Sequence, residues 1–188
     1  MVMDFSQEIL TNTSFEPLPR AGSLAPWTLT GKTGDKVKCG IAAYDGTCAF
    51  MFKGSVGENS KLTYRVDAYP LTRQYGDTVA LTMQIQTTSA NARIVAKLKV
   101  KYGYGTDASI SQTIIPDNSA NYLWYSLPPV DLGDPSVDPA PVITVTITNR
   151  STSGKLYLDG VSLKMVRAGA VLRADAAPPP SLPEGFRR

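Results

Sequence analysis

Apolar and polar residues alternate with a period of two along much of the chain. Leu62, Tyr64, Val66 and Ala68 interleave with Thr63, Arg65 and Asp67. Val79, Leu81, Met83 and Ile85 interleave with Ala80, Thr82, Gln84 and Gln86, and Ile143, Val145 and Ile147 with Thr144, Thr146 and Thr148. Successive side chains of a strand point to opposite faces, so each run predicts a strand with one buried face. Gly57-Glu58-Asn59, Tyr75-Gly76-Asp77, Pro116-Asp117-Asn118 and Ser153-Gly154 separate the runs and supply turn chemistry. About ten strands at regular spacing predict an all-β sandwich or barrel. A parallel α/β fold needs amphipathic helical crossovers, and no gap is long and amphipathic enough to be one.

The chain has 188 residues, the size of one domain. Hydrophobic residues are 43% and charged residues 19%, which is enough for a sizeable core and excludes wholesale disorder. Residues 167–188 differ. They run through an Ala-rich segment into Pro178-Pro179-Pro180 and end in Gly185-Phe186-Arg187-Arg188. We read residues 1–166 as one domain and 167–188 as an Ala/Pro-rich linker or extended arm. Residues 131–141 form a second proline-broken segment, read as a loop.

There is no histidine. That excludes a Ser-His-Asp triad, a Cys-His dyad and any His-ligated metal or haem. The few glutamates and the turn-bound aspartates form no recognisable acid/base pair, so the chain is not expected to be an enzyme. The net charge of +3 is too small and too scattered for a nucleic-acid binder. The one basic cluster, Arg93, Lys97, Lys99 and Lys101, shares one side of a strand whose other side is apolar. It reads as a solvated face, with an acidic ligand or partner as the alternative. No stretch of 18 apolar residues is present, so no membrane span is expected. The opening residues do not read as a signal peptide.

Cys39 and Cys48 flank a turn-like Tyr44-Asp45-Gly46-Thr47. A hairpin there brings the two sulfurs together as a disulfide; two small buried thiols are the other reading.

Four blocks in order carry a family resemblance. They are Asn12-Thr13-Ser14-Phe15-Glu16 with Trp27; Gly46-Thr47-Cys48-Ala49-Phe50; Trp124-Tyr125-Ser126-Leu127; and Leu158-Asp159-Gly160-Val161-Ser162-Leu163. Together they resemble the β-jelly-roll carbohydrate-binding modules of families 4, 9 and 22. Gly160 stands where that pattern often has a second acidic or amide residue. The resemblance implies a two-sheet jelly-roll sandwich and a non-catalytic glycan-binding module of a secreted or surface protein. It also implies a structural calcium held by Glu16 and Asp159, with Asp45 nearby. Trp27 and Trp124 fall at family positions that pack in or near the core. For the glycan, the exposed candidates are Tyr69, Tyr75, Tyr102 and Tyr104 for stacking, with Gln84, Gln86 and Arg65 bonding hydroxyls from a concave sheet face. The competing expectation is a structural or adhesive β-domain of a filament or surface assembly, with its termini making subunit contacts.

Overall fold

The computed structural model describes residues 7–16, 24–31, 34–67, 72–138 and 140–168. The expected tail contacts and Tyr69 lie outside the described residues. Twelve strands are found among those described. They are β1 (Gln7–Glu8), β2 (Thr28–Thr30), β3 (Lys36–Cys39), β4 (Cys48–Lys53), β5 (Lys61–Val66) and β6 (Thr78–Thr87). There follow β7 (Ile94–Lys101), β8 (Ala108–Ile114), β9 (Ser119–Ser126), β10 (Val130–Asp131), β11 (Val142–Asn149) and β12 (Lys155–Val166).

They form two antiparallel sheets, as the alternation predicts. The first runs β10-β6-β12-β4-β3, with β9 also on β6 and β1 also on β12. The second runs β2-β5-β11-β7-β8. The periodic runs supply the inner faces. Leu81, Met83 and Ile85 of β6 and Phe50 and Phe52 of β4 meet Leu62, Ile94, Leu98, Val145 and Ile147 of the opposite sheet in one core. Burial of these side chains is the main stabilising term, roughly 1.5–3 kcal/mol for each large one. Trp27 is 3% exposed, as expected of a packing residue. It lies edge-on to Tyr64 at 5.0 Å and donates its indole N–H to the Asn12 carbonyl at 3.2 Å.

One irregularity matters for the site. The pairing of β12 with β6 shifts between Asp159 and Ser162, which marks a β-bulge. Gly160 sits there at φ 52°, a left-handed conformation that costs an L side chain energy and costs glycine nothing. Before the bulge Leu156 and Leu158 face the core; after it Val161, Leu163 and Met165 do.

Candidate functional site

The outer face of the first sheet carries a buried patch fringed by aromatic rings, called the trough below. Its floor comes from the residues that alternate with the core positions. Ala49 and Met51 of β4, Gln84 of β6 and Asp159 of β12 are buried, yet none of them belongs to the core cluster. They are covered from outside. Tyr157 is the cross-strand neighbour of both Met51 and Gln86. Trp124 of β9 stands opposite Gln84. Tyr44, from the loop between β3 and β4, packs beside Tyr122 of β9 at 6.2 Å between ring centroids. Trp124 is 58% and Tyr44 55% exposed, so two ring faces meet solvent above a polar floor.

Gly160 makes room for this. A Cβ built there would lie 3.0 Å from the Tyr44 ring and 3.2 Å from Gln84 Cγ. The departure from the family pattern noted at this position is therefore a steric allowance for Tyr44.

The loop that delivers Tyr44 is pinned at several points. Cys39 and Cys48 are directly opposed in the β3–β4 ladder and are joined as a disulfide, which settles the two readings left open by the sequence. Asp159 Oδ2 accepts the backbone N–H groups of Tyr44 at 2.7 Å and Asp45 at 3.0 Å, and Oδ1 accepts that of Gly160 at 2.7 Å. Glu16 Oε1 accepts the N–H groups of Thr47 at 2.6 Å and Cys48 at 2.9 Å, while Oε2 accepts the Thr47 hydroxyl. Gly46 must be glycine for this: a Cβ there would lie 2.1 Å from Glu16 Oε1. The Tyr122 hydroxyl donates to the Ala42 carbonyl at 3.4 Å.

Burial raises the Asp159 pKa from 3.8 to about 6; the three N–H donors oppose the rise and the nearby Asp45 charge adds to it. Glu16 moves the other way, held below its usual range chiefly by the Thr47 N–H. Burial, then the charges of Asp159 and Tyr157, pushes the Tyr122 phenol up, so it remains a donor.

The donor set at Glu16 and Asp159 does not fit a calcium shell, which needs six to eight converging oxygens. Each carboxylate instead faces N–H groups, at opposite ends of one loop. Among the described residues no cluster of three or more histidine, cysteine or acidic side chains could hold a metal ion.

The expected glycan residues separate. Gln84 and Gln86 lie on the trough face, but Gln84 is buried as its floor and the Gln86 amide donates to the Ala120 carbonyl. Arg65 is on the outer face of the other sheet, paired with Asp67, and so cannot share a surface with the glutamines. Tyr102 is half-buried against the core, with its hydroxyl donating to the Asp131 carbonyl at 2.7 Å. Tyr75 and Tyr104 are exposed, but in turns outside the strands. Trp124 is corrected from packing residue to exposed ring. It sits on β9, which among the described residues pairs with β6 alone. Tyr44, Tyr122 and Tyr157 were not singled out by the sequence. The alternation in Tyr122-Leu123-Trp124-Tyr125 was the available signal.

No family model and no curated protein matches the chain. Solved structures share its fold. A family 61 carbohydrate-binding module in complex with β-1,4-galactotriose superposes with a TM-score of 0.56 at 18% identity, covering 84% of this chain and 97% of that one. A CBM22 xylan-binding domain from Paenibacillus barcinonensis gives 0.51 at 14%, covering 83% and 93%. A cyclase from Fischerella sp. TAU gives 0.58 at 12%, covering 88% and all of that chain. The jelly-roll resemblance therefore holds for the fold over most of the chain. At these identities it is a likeness of architecture, shared by binding modules and an enzyme alike.

Proposed function

We propose that this chain is a glycan-binding module that takes its ligand in the trough on the first sheet. The observation that carries the reading is the pair of exposed rings, Trp124 and Tyr44, set above a buried polar floor. A pyranose presents an apolar C–H face that rests on such a ring, while its hydroxyls reach amide and phenol groups around it. Tyr122 lies beside Tyr44, and Tyr157 and Gln86 are cross-strand neighbours on the same face. The two phenol oxygens and the Gln86 carbonyl, its amide N–H being bonded to the Ala120 carbonyl, supply those groups. The folds of the galactotriose-bound and xylan-binding modules support a neutral β-linked polysaccharide as the ligand class. A disulfide-closed site suits an extracellular or surface location, where thiols stay oxidised.

The module is non-catalytic in this reading. Asp159 is the one carboxylate with a strongly raised pKa in the trough, but it is fully buried and committed to three backbone donors. A proton donor must reach a substrate atom, and Asp159 cannot while Tyr44 covers it.

The test uses β-1,4-linked galactose, xylose and glucose oligomers and follows tryptophan fluorescence. Of the two tryptophans Trp27 is buried, so a ligand-induced change comes from Trp124. A saturable change with at least one oligomer is expected. Tyr44→Ala, read by fluorescence, and Trp124→Ala, read by calorimetry because it lacks the reporting ring, should each lower the affinity roughly tenfold or more, as loss of a central aromatic anchor does. Binding that survives both substitutions would reject the trough as the site.

A further inference from the structure

The outer face of the second sheet is built quite differently, and it ends in a feature the trough does not explain. β7 and β11 are paired up to Ile94 and Asn149. The ladder continues one step further, with the Arg150 N–H donating to the Arg93 carbonyl at 2.8 Å. Arg93 and Arg150 are thus directly opposed. Their neighbours Ile94 and Asn149 are buried while both arginines are exposed, so the two side chains share the outer face. Opposed side chains of an antiparallel pair lie roughly 5 Å apart at Cβ, and like charges there repel. Among the described residues neither guanidinium has an acidic partner; the ion pairs found belong to Arg65, Lys99 and Arg167.

A cleft of about 150 Å³ lies at this point, lined by Ala90, Asn91, Arg93, Ile115, Arg150 and Thr152. Two arginines, Thr152 and the exposed Ile115 border it, and the Asn91 amide beside them donates to the Ser153 hydroxyl at 3.0 Å. From it the outer face runs on as rows. Lys61 and Thr148 are neighbours, then Thr63, Thr146 and Lys97, then Arg65, Thr144 and Lys99.

We propose that the Arg93–Arg150 cleft binds an oxyanion group of an acidic polysaccharide, whose chain then lies along the threonine and lysine rows. A carboxylate or sulfate accepts from both guanidinium forks at once, and its charge cancels the repulsion that is otherwise uncompensated. Ile115 gives a sugar ring an apolar contact, and the threonine rows give its hydroxyls partners. No aromatic side chain lies in these rows, so a nucleic acid would find its phosphates matched but no ring on which to stack a base.

The experiment measures binding of the whole chain to dextran sulfate, polygalacturonate, neutral dextran and a single-stranded oligonucleotide. The variants are Arg93→Gln/Arg150→Gln and, as a charge-matched control, Lys53→Gln/Lys155→Gln, an opposed basic pair on the first sheet. At least one acidic polysaccharide should bind, neutral dextran should not, and the arginine variant should lose at least tenfold where the lysine variant loses less than twofold. Preference for dextran sulfate or for polygalacturonate identifies the group as sulfate ester or carboxylate. Because both arginines are exposed, the variant should fold, and its Tm without ligand should equal or exceed that of the parent. Trp124→Ala should leave this binding unchanged, which separates it from the trough. Equal losses in the two charge variants, absence of binding to both acidic polymers, or equally tight oligonucleotide binding with the same arginine dependence would each overturn the proposal.

Discussion

The two sheets share one core but turn unlike faces outward. On the first, Gln84 and Asp159 are buried under a loop and a fringe of aromatic rings. On the second, Thr144, Thr146, Lys97 and Lys99 are half-exposed or exposed, and Asp107 from the β7–β8 connection pairs with Lys99 at the edge of the array. Both arise from the same two-residue alternation. The difference is made by what the connections do. The β3–β4 connection folds back onto its own sheet and is fastened there by a disulfide and two carboxylates. Among the described residues, the second sheet's outer face is defined mainly by its own strand side chains, with Asp107 reaching Lys99 from a connection. A sandwich thus keeps its fold constant while each outer face takes a chemistry set by whether a loop covers it.

The largest expected effect removes what the faces share. Phe50 is fully buried and packs against Phe15 and Phe52 at 5.7 and 4.9 Å. Phe50→Ala should cost about 3–5 kcal/mol and weaken both faces together, read as a lower denaturant midpoint and loss of both binding activities.

A smaller change should separate them. Replacing Cys39 and Cys48 with serine opens the loop under Tyr44 and should cost about 2–3 kcal/mol on the chain-entropy model. Titration with the neutral oligomers should show the larger loss, and binding of acidic polymers should persist at temperatures where the variant is folded. Equal losses would mean that the loop supports the whole molecule and not one face.

The smallest effect is a pH dependence confined to the first sheet. The folded pKa of Asp159 lies above its ordinary value of 3.8, at about 6. Folding therefore favours the protonated form. The associated stability is present below about pH 4 and is lost as the pH rises through 6. In Asp159→Asn the amide cannot titrate, and it can meet a backbone N–H with another N–H, at a cost of about 1–2 kcal/mol. The stability advantage of the parent over Asp159→Asn should thus be largest in acid and shrink between pH 4 and pH 6, measured by urea unfolding at each pH. An advantage that grows with pH across that window would mean the ionised carboxylate is the favoured form.

Much of the fold was legible in the sequence because alternation reports burial directly where a strand has a neighbour on both edges. β6, β7 and β11 were readable for that reason. β9 was not. Tyr122 and Trp124 alternate with Leu123 and Tyr125, so both of its faces look apolar, and only the pairing of Trp124 with Gln84 shows which one faces out. Tyr44 was hidden for a different reason. Its position depends on hydrogen bonds to Asp159, 115 residues away, and no local pattern encodes such a contact. The roles of Glu16 and Asp159 were half legible. The family resemblance singled both out as metal ligands, and the structure bonds each to backbone N–H groups of the β3–β4 loop, a partnership no motif announces.

The bulge at Gly160 acts as a phase shifter. Inward positions in β12 are even-numbered before it and odd-numbered after it, because one supernumerary residue sits in between. Deleting that one smallest residue would leave the strand's composition almost untouched. It would also restore a regular two-residue alternation in which Leu158, Val161, Leu163 and Met165 all stay inward, so the bulge would go while the core face remained. In this strand, then, the count of residues carries information separate from their identity. A lineage of such chains can lose that one residue and keep the core face of β12, and what it loses is the bulge beside Tyr44 and Gln84.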